Sequence, residues 1–286
     1  MERLIEQLHK MDISYQIISM IQDKDGVFVA RIHHDNGTYI LKYFENHEYR
    51  REIRNYKILE QLHIPTLTIL HSTDCALLME DIEGSAMHRL GMDDDLKDIE
   101  VASQLADWYR LLHQKGYDYV ARYGTDLYDE SDVITKENIK KIKKITATEE
   151  LPVWKLFNEN FDEIKHKISQ VKRTLTYNDF YYTNLIVAKD KSTAFMYDYN
   201  LLGKGYVYSD IRNVCSSLDP MAKHVFLSNY GTFDTKEIII DDVASVISTL
   251  FFACKRPQFP QWAKEELEVL QSNYIDKVNL LLHTKF

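Results

Sequence analysis

The chain has 286 residues, of which 45% are hydrophobic and 12% aromatic, and its formal net charge is −9. This length allows one or two domains with a large core, and this composition excludes an intrinsically disordered protein. The acidic excess disfavours nucleic acid as the main partner, because binding to phosphates requires a basic face.

The cysteines and the apolar segments together indicate a cytoplasmic protein. Cys75, Cys215 and Cys254 are widely separated and odd in number, so they suggest neither a disulfide framework nor a zinc site. The N-terminal stretch MERLIEQLHKMD lacks the long apolar core of a signal peptide, and no apolar run is long enough to span a bilayer. We therefore expect no membrane partner.

The N-terminal part of the chain has the pattern of a helix followed by a three-stranded meander. Leu4, Ile5 and Leu8 have helical spacing, and the following segments alternate with turn sequences. The predicted elements are a helix over residues 2–10 and strands over residues 15–21, 27–32 and 38–44. The second and third strands are joined by an Asn36-Gly37 turn, which favours a tight hairpin.

Lys42 lies inside the apolar third strand, in the sequence YILKYF. Its neighbours Leu41 and Tyr43 point to the opposite face of the sheet. A lysine in this position is either a charge at the sheet edge or a functional lysine. The helix that follows, over residues 48–62, contains two acidic candidates for an ion pair with it, Glu48 and Glu52.

Two more strands and several helices complete the predicted element order. Strands over residues 66–70 and 76–80 would extend the meander to a five-stranded sheet. Downstream, apolar residues mostly recur at helical spacing, with Gly116 expected to end the first of these helices. The predicted helices cover residues 97–115, 133–146, 154–173, 220–229, 236–253 and 262–283.

The segment between residues 175 and 213 brings three polar residues together around a β-hairpin. Asn184 precedes the apolar run Leu185-Ile186-Val187, and Asp198 follows the paired run that ends at Tyr197. Because a hairpin returns its two ends to one place, Asn184 and Asp198 should lie close together, with Asp179 one loop away. Such oxygen ligands suit Mg²⁺ held against phosphate.

Asp179, Asn184 and Asp198 resemble the kinase catalytic loop and metal-binding aspartate, in the variant of the aminoglycoside phosphotransferase and choline kinase superfamily. The resemblance covers nearly the whole chain in element order. It implies that Asp179 orients or deprotonates an acceptor hydroxyl, while Asn184 and Asp198 hold Mg²⁺. The chain departs from the family at Tyr177, where a histidine is usual.

The same resemblance assigns the nucleotide-binding residues. Lys42 would bind the ATP phosphates and pair with Glu52, which matches the family pattern in EIRNYKILEQLHIP better than Glu48. In LLMEDIEG, the carbonyl of Glu80 and the amide of Ile82 would contact adenine, with Met79 behind it. The turn at Gly26 would cover the phosphates, although it lacks a Gly-x-Gly-x-x-Gly pattern. His113 is expected to be structural, and Asp210 to anchor the catalytic loop.

The resemblance implies an α+β, bilobal protein-kinase-like fold. Its N-lobe would be a five-stranded antiparallel sheet plus a helix, and its C-lobe mainly helical. We expect a nucleotide-binding N-lobe over residues 1–80 and a C-lobe over residues 81–286 that carries the catalytic loop and binds the substrate. The protein is expected to be a monomer or a homodimer.

The implied reaction is Mg²⁺-dependent transfer of the γ-phosphate of ATP, or of GTP as the alternative, to a hydroxyl of a small molecule. A cationic, aminoglycoside-like acceptor is favoured because residues 74–132 contain 15 acidic residues against 5 Lys or Arg. Choline, ethanolamine or another metabolite is the alternative acceptor. A catalytically inactive binding protein, supported only by Tyr177, is a further alternative, and protein kinase activity is disfavoured because no Ala-Pro-Glu sequence follows Asp198.

Overall fold

A computed structural model describes all 286 residues, which form two compact units. The first unit comprises Met1–Lys115, Tyr177–Leu202 and Asn213–Gly231, and the second comprises Gly116–Thr176, Gly203–Arg212 and Thr232–Phe286. The first unit therefore contains both the predicted sheet and the segment with Asp179, Asn184 and Asp198. The functional boundary expected at residue 80 stays a prediction.

The first unit is built on the predicted five-stranded antiparallel sheet. Its strand order is β1-β2-β3-β5-β4, so the first three strands form the expected meander. The strands are β1 (Ile17–Lys24), β2 (Val27–His34), β3 (Gly37–Phe44), β4 (Ile69–Ser72) and β5 (Ala76–Glu80). β4 begins three residues later than predicted, and the N–H of Thr68 just before it donates to the side chain of Glu80 at 2.7 Å.

Helix α1 (Glu2–Lys10) covers one face of this sheet, as its sequence pattern predicts. Leu4 and Leu8 are almost fully buried against Ile32 and Leu41 of the central strands. Alternate residues of a strand point to the same face, so the small and branched side chains of β2 and β3 form a continuous apolar surface for the helix. The helix and the sheet thus share one core.

The segment after β3 begins as a 3₁₀ turn (His47–Arg50) and continues as α2 (Arg51–Gln61). The side chain of Asn46 caps the turn by accepting the N–H of Glu48 at 3.0 Å. Glu48 therefore lies in an exposed turn, whereas Glu52 lies in the first turn of α2 and is 1% exposed.

Arg31 of β2 forms an unpredicted ion pair with Asp81, directly after β5. Its Nε lies 2.5 Å from Asp81 Oδ2, and the Asp81 side chain is only 3% exposed. Burial alone would raise the pKa of Asp81, but hydrogen bonds from Arg31 and Thr38 outweigh it and lower this pKa below its ordinary value of 3.8. The pair fastens the end of β5 to β2.

An Arg31→Met variant is expected to lose about 2 kcal/mol of unfolding free energy at pH 7, because it leaves a buried carboxylate without its cation. A carboxyl whose pKa is lowered by folding stabilises above its unfolded pKa, and this contribution disappears as pH falls through the folded pKa. The loss should therefore shrink toward pH 3. Urea unfolding at both pH values measures it.

Lys97→Met is a matched control for Arg31→Met, since Lys97 pairs with Asp93 and Asp94 at the surface, where all three side chains are more than half exposed. An exposed pair contributes about 0–1 kcal/mol. An Arg31→Met loss that is equal at pH 3 and pH 7 would show that packing, and not charge, explains the effect.

The predicted downstream helices and hairpin are present in the expected order with different boundaries, together with one helix and three short strands that were not predicted. They are β6 (His88–Leu90), α3 (Ile99–Tyr123), α4 (Lys136–Ile145), α5 (Val153–Glu159), α6 (Phe161–Ser169), β7 (Thr174–Thr176), β8 (Leu185–Ala188), β9 (Ala194–Met196), β10 (Gly203–Gly205), α7 (Val207–Ser217), α8 (Pro220–Tyr230), α9 (Lys236–Cys254), α10 (Lys264–Ser272) and α11 (Tyr274–His283). No helix combines the length and the apolar character needed to cross a membrane.

The prediction that Gly116 ends a helix is wrong, because α3 continues to Tyr123. A Cβ atom at Gly116 would lie 2.5 Å from the backbone nitrogen of Leu175 in β7. Glycine is therefore required here for the close approach of a helix to a strand and not for a left-handed helix end.

Two predicted long helices are each a pair of shorter ones. The first breaks at Asn160, between α5 and α6, and the second breaks at Asn273, between α10 and α11. Both pairs pack around α9, whose apolar residues lie on nearly all sides and are buried in the core of the second unit. The breaks let each short helix turn its apolar face into this shared core, which helical periodicity alone does not show.

Candidate active site

The hairpin of β8 and β9 brings Asn184 and Asp198 together as predicted. Leu185 pairs with Met196, and the N–H of Tyr197 donates to the carbonyl of Asn184 at 2.9 Å. Because this bond joins the start of β8 to the end of β9, Asn184 and Asp198 both lie at the open end of the hairpin, opposite its turn.

Asp179 and Asn184 are joined by the short loop that precedes β8. The amide nitrogen of Asn184 donates to the backbone carbonyl of Asp179 at 3.2 Å and to its Oδ2 at 3.3 Å. These bonds use the nitrogen of the Asn184 amide and leave its oxygen available to a ligand.

Lys42 lies between Glu52 and Asp198. Its Nζ is 2.7 Å from Glu52 Oε2 and 2.9 Å from Asp198 Oδ1, so the predicted choice of Glu52 over Glu48 agrees with the contacts in the structure. Burial alone would lower the pKa of Lys42, but the charges of the two carboxylates raise it above its ordinary value. The ammonium group therefore stays protonated at neutral pH.

The carboxyl group of Asp179 has a raised pKa. Burial, and secondly the charge of Asp198, raise its pKa to about 6, while the hydrogen bond from Asn184 and the charge of Lys42 partly offset this rise. A carboxylate with a pKa near neutrality is suited to accept a proton from a hydroxyl group.

The backbone after Asp198 is held by side chains that contact consecutive carbonyl groups. Asp198 itself has a φ of 61°, a left-handed conformation that costs energy for a residue other than glycine. The contacts are Asn55 to Tyr199 (2.7 Å) and to Leu202 (3.2 Å), Arg51 to Asn200 (2.7 Å) and Asn178 to Leu201 (3.0 Å). Helix α2 and the Asp179 segment thus fix the position of the Asp198 carboxylate.

Tyr177, which replaces the usual histidine, is fully buried. Its hydroxyl donates to the carbonyl of Tyr197 at 2.5 Å, next to Asp198. Burial raises the pKa of this phenol far above its ordinary value, so the side chain does not titrate. In this chain, the hydrogen bond of Tyr177 therefore holds the segment before Asp179 against the residue that follows β9.

The residues expected around adenine lie where β5 ends. Met79 is 4% exposed, Glu80 is the last residue of the strand, and Ile82 begins a 3₁₀ turn. The first N–H of a helical turn has no partner within the turn, so the amide of Ile82 can serve as a donor. The role of these three residues in nucleotide binding stays a prediction.

His113 and Asp210 are both buried, at 1% exposure. The Nδ1 of His113 lies 2.8 Å from the hydroxyl of Tyr230, which is consistent with a structural role for this histidine. Asp210 lies in the first turn of α7, in the second unit, and its expected role as an anchor stays a prediction.

A cavity of about 280 Å³ lies between the site residues of the first unit. It is lined by Gln22, Lys24, Asp25, Val27, Lys42, Tyr49, Glu52, Asp179, Asp198 and Asn200. Lys42, Glu52, Asp179 and Asp198 are predicted site residues. Sequence reasoning assigned no role to Lys24, although it lies in the turn expected to cover the phosphates.

The oxygen atoms of this site fit a magnesium ion that takes part of its ligands from the protein and the rest from phosphate and water. No three His, Cys, Asp or Glu side chains are arranged as a complete metal site. Mg²⁺ needs only one or two protein carboxylates when phosphate oxygens and water supply the rest. The negative charge of Asp198 raises the pKa of Asp179. A bound cation would neutralise this charge.

The sequence is similar to one known protein family. The family profile described as "APH: Phosphotransferase enzyme family" matches residues 28–237. No curated protein sequence matches the chain.

Solved structures share the fold at low sequence identity. Choline kinase LicA from Streptococcus pneumoniae has a TM-score of 0.63 at 12% identity, with 98% of this chain and 99% of that chain covered. Macrolide 2′-phosphotransferase MphH from Brachybacterium faecium has a TM-score of 0.61 at 13% identity, covering 96% and 99%. Spectinomycin phosphotransferase APH(9)-Ia, in complex with ADP and spectinomycin, has a TM-score of 0.59 at 14% identity, covering 98% of each chain.

Proposed function

Because the chain belongs to the phosphotransferase enzyme family, we propose that it transfers the γ-phosphate of ATP to a hydroxyl group of a small cationic molecule in the presence of Mg²⁺. The observation that carries this proposal is the position of Lys42 between Glu52 and Asp198, in one cavity with Asp179. The ADP complex of the similar spectinomycin phosphotransferase supports a nucleotide as the donor.

The proposed mechanism assigns a task to each of the site residues. Lys42 binds the phosphates of the nucleotide, and Glu52 and Asp198 hold its ammonium group in place. Asn184 and Asp198 would hold Mg²⁺, which neutralises charge on the phosphates when it is bound. Asp179 accepts a hydrogen bond from the acceptor hydroxyl, orients it for attack on the γ-phosphorus and takes its proton, while the bond from this phosphorus to the β,γ-bridging oxygen breaks and ADP leaves.

The nucleotide base is proposed to lie beside the end of β5. The backbone carbonyl of Glu80 and the amide of Ile82 would contact adenine, and the buried side chain of Met79 would form an apolar wall behind it. Main-chain contacts of this kind do not depend on residue type. GTP remains the alternative donor.

The acidic segment over residues 74–132 gives weaker support to a cationic acceptor than its composition indicated. Seven of its fifteen carboxylates are already paired with Lys or Arg, and these are Asp81, Glu83, Asp93, Asp94, Asp95, Asp98 and Asp107. A separate feature favours a cation, since Tyr181 and Tyr182 are 58% and 37% exposed close after Asp179. Exposed tyrosine rings attract ammonium groups.

A panel of hydroxyl compounds in an ATP-consumption assay tests the function. It should contain aminoglycosides, choline, ethanolamine and neutral sugars, with and without Mg²⁺. Turnover of one cationic compound only in the presence of Mg²⁺ is the expected result. Nucleotide binding without turnover of any compound would favour the catalytically inactive binding protein.

The acceptor KM is expected to rise several-fold when ionic strength increases from about 0.05 M to about 0.5 M, because the screening length falls below about 5 Å and attraction to carboxylates weakens. The KM for MgATP should change less. Measuring both constants in one salt series provides an internal control. A neutral acceptor, or an acceptor KM that does not respond to salt, would contradict the cationic assignment and leave phosphoryl transfer intact.

A further inference from the structure

The hairpin turn between β1 and β2 is short and held in place beside the candidate site. Lys24 pairs with Val27, so only Asp25 and Gly26 form the turn, with φ angles of 54° and 78°. The carbonyl of Gly26 accepts the N–H groups of Glu45 at 2.9 Å and Asn46 at 3.3 Å. A Cβ atom at Gly26 would lie 3.1 Å from the Cβ of Asn46, so the turn packs tightly against the end of β3.

A turn of this length has few backbone amides to offer to phosphate groups. A longer glycine-rich loop binds phosphates mainly through successive N–H groups. Here Asp25 and Gly26 are the only residues between the paired strand ends, and the turn is fastened through Gly26. Side chains must therefore supply most of the attraction on this side of the cavity.

The charges around the cavity identify which side chain can do this. Four carboxylates and two ammonium groups line it, and these are Asp25, Glu52, Asp179, Asp198, Lys24 and Lys42. Lys42 already contacts two of the carboxylates. None of the ion pairs in the structure involves Lys24, which is exposed at the cavity wall.

We propose that the Lys24 ammonium binds the phosphate groups of the nucleotide and replaces the backbone amides that a longer loop would supply. This inference rests on the proposed function. The fixed turn positions the Lys24 backbone, while its flexible four-carbon side chain carries a compact charge with three donors. A charge-assisted hydrogen bond to phosphate is stronger than a neutral one. Because Lys24 is exposed, water and salt reduce its contribution, so its loss weakens nucleotide binding without abolishing it.

Titration calorimetry with MgATP, MgADP and adenosine tests this role without an acceptor. Lys24→Met should weaken MgATP binding about tenfold and leave adenosine binding unchanged, because adenosine has no phosphate. MgADP should also bind more weakly. Lys24→Arg should restore most of the MgATP affinity.

Lys57→Met is the matched control, since Lys57 is an exposed lysine of α2 that does not line this cavity. It removes the same charge from the same unit, and MgATP affinity should stay within twofold of wild type. Equal MgATP affinities for Lys24→Met and Lys57→Met would overturn the role of Lys24 while the wild type still binds nucleotide. Absence of nucleotide binding to the wild type would overturn the proposed function and this inference with it.

Discussion

An Asp179→Asn variant is expected to lose acceptor turnover by a factor of about 10²–10⁴ while its MgATP affinity stays within about threefold of wild type. The amide preserves the size of the side chain and its proximity to Asn184, but it cannot take a proton from a hydroxyl group. The kcat with the acceptor found in the panel, and the Kd for MgATP from calorimetry, measure the two effects separately.

A loss of kcat smaller than tenfold would contradict the assignment of Asp179 as the catalytic base. A kcat within tenfold of wild type corresponds to a change of only about 1.4 kcal/mol in the barrier, which is too small for loss of a catalytic base. A parallel loss of MgATP affinity would instead place Asp179 at the nucleotide. An unchanged unfolding midpoint controls for damage to the loop.

An Asp198→Ala variant is expected to bind MgATP at least tenfold more weakly and to turn over more slowly, because it loses a proposed metal ligand and one of the two carboxylates that hold Lys42. Its affinity for ATP in the presence of a chelator should stay the same or increase, since removal of a negative charge reduces repulsion of the phosphates. Calorimetry with and without Mg²⁺ gives both values.

The dependence on Mg²⁺ separates the two explanations for a loss at Asp198. Equal weakening with and without Mg²⁺ would mean that Asp198 acts by positioning Lys42 and not by binding metal. Asn184→Ala is the companion variant, because it removes a neutral oxygen ligand and leaves the Lys42 contacts unchanged. It should weaken MgATP binding less than Asp198→Ala does and leave metal-free ATP binding unchanged.

Local sequence patterns predict much of the first unit. The alternation of apolar residues and an Asn-Gly turn predict the meander of β1, β2 and β3. The position of Asn184 and Asp198 at the ends of a hairpin follows from strand pairing alone, because an antiparallel hairpin returns the chain to its start. The pairing of Lys42 with Glu52 required the family resemblance in addition, since spacing alone also allowed Glu48.

Elements outside that unit show where periodicity is insufficient. A helical pattern does not mark the breaks at Asn160 and Asn273, because two short helices at an angle have the same apolar spacing as one long helix. In the sequence Gly116 resembles a helix end, but in the structure its lack of a side chain allows α3 to approach β7 closely. In both cases the partner surface, and not the local sequence, decides the outcome.

By itself, the sequence predicted the sheet and the hairpin that brings Asn184 and Asp198 to one place, because both depend on residue type and near-neighbour spacing. The roles of Lys42 and Asp179 required the family resemblance in addition and stay predictions. Only the tertiary structure decided what holds Asp198 in place and which cations remain unpaired. Asn55 reaches the carbonyl of Tyr199 across 144 positions in the chain. Local propensity carries no signal for a hydrogen bond between such distant residues, since the bond exists only after packing brings a helix and a loop together.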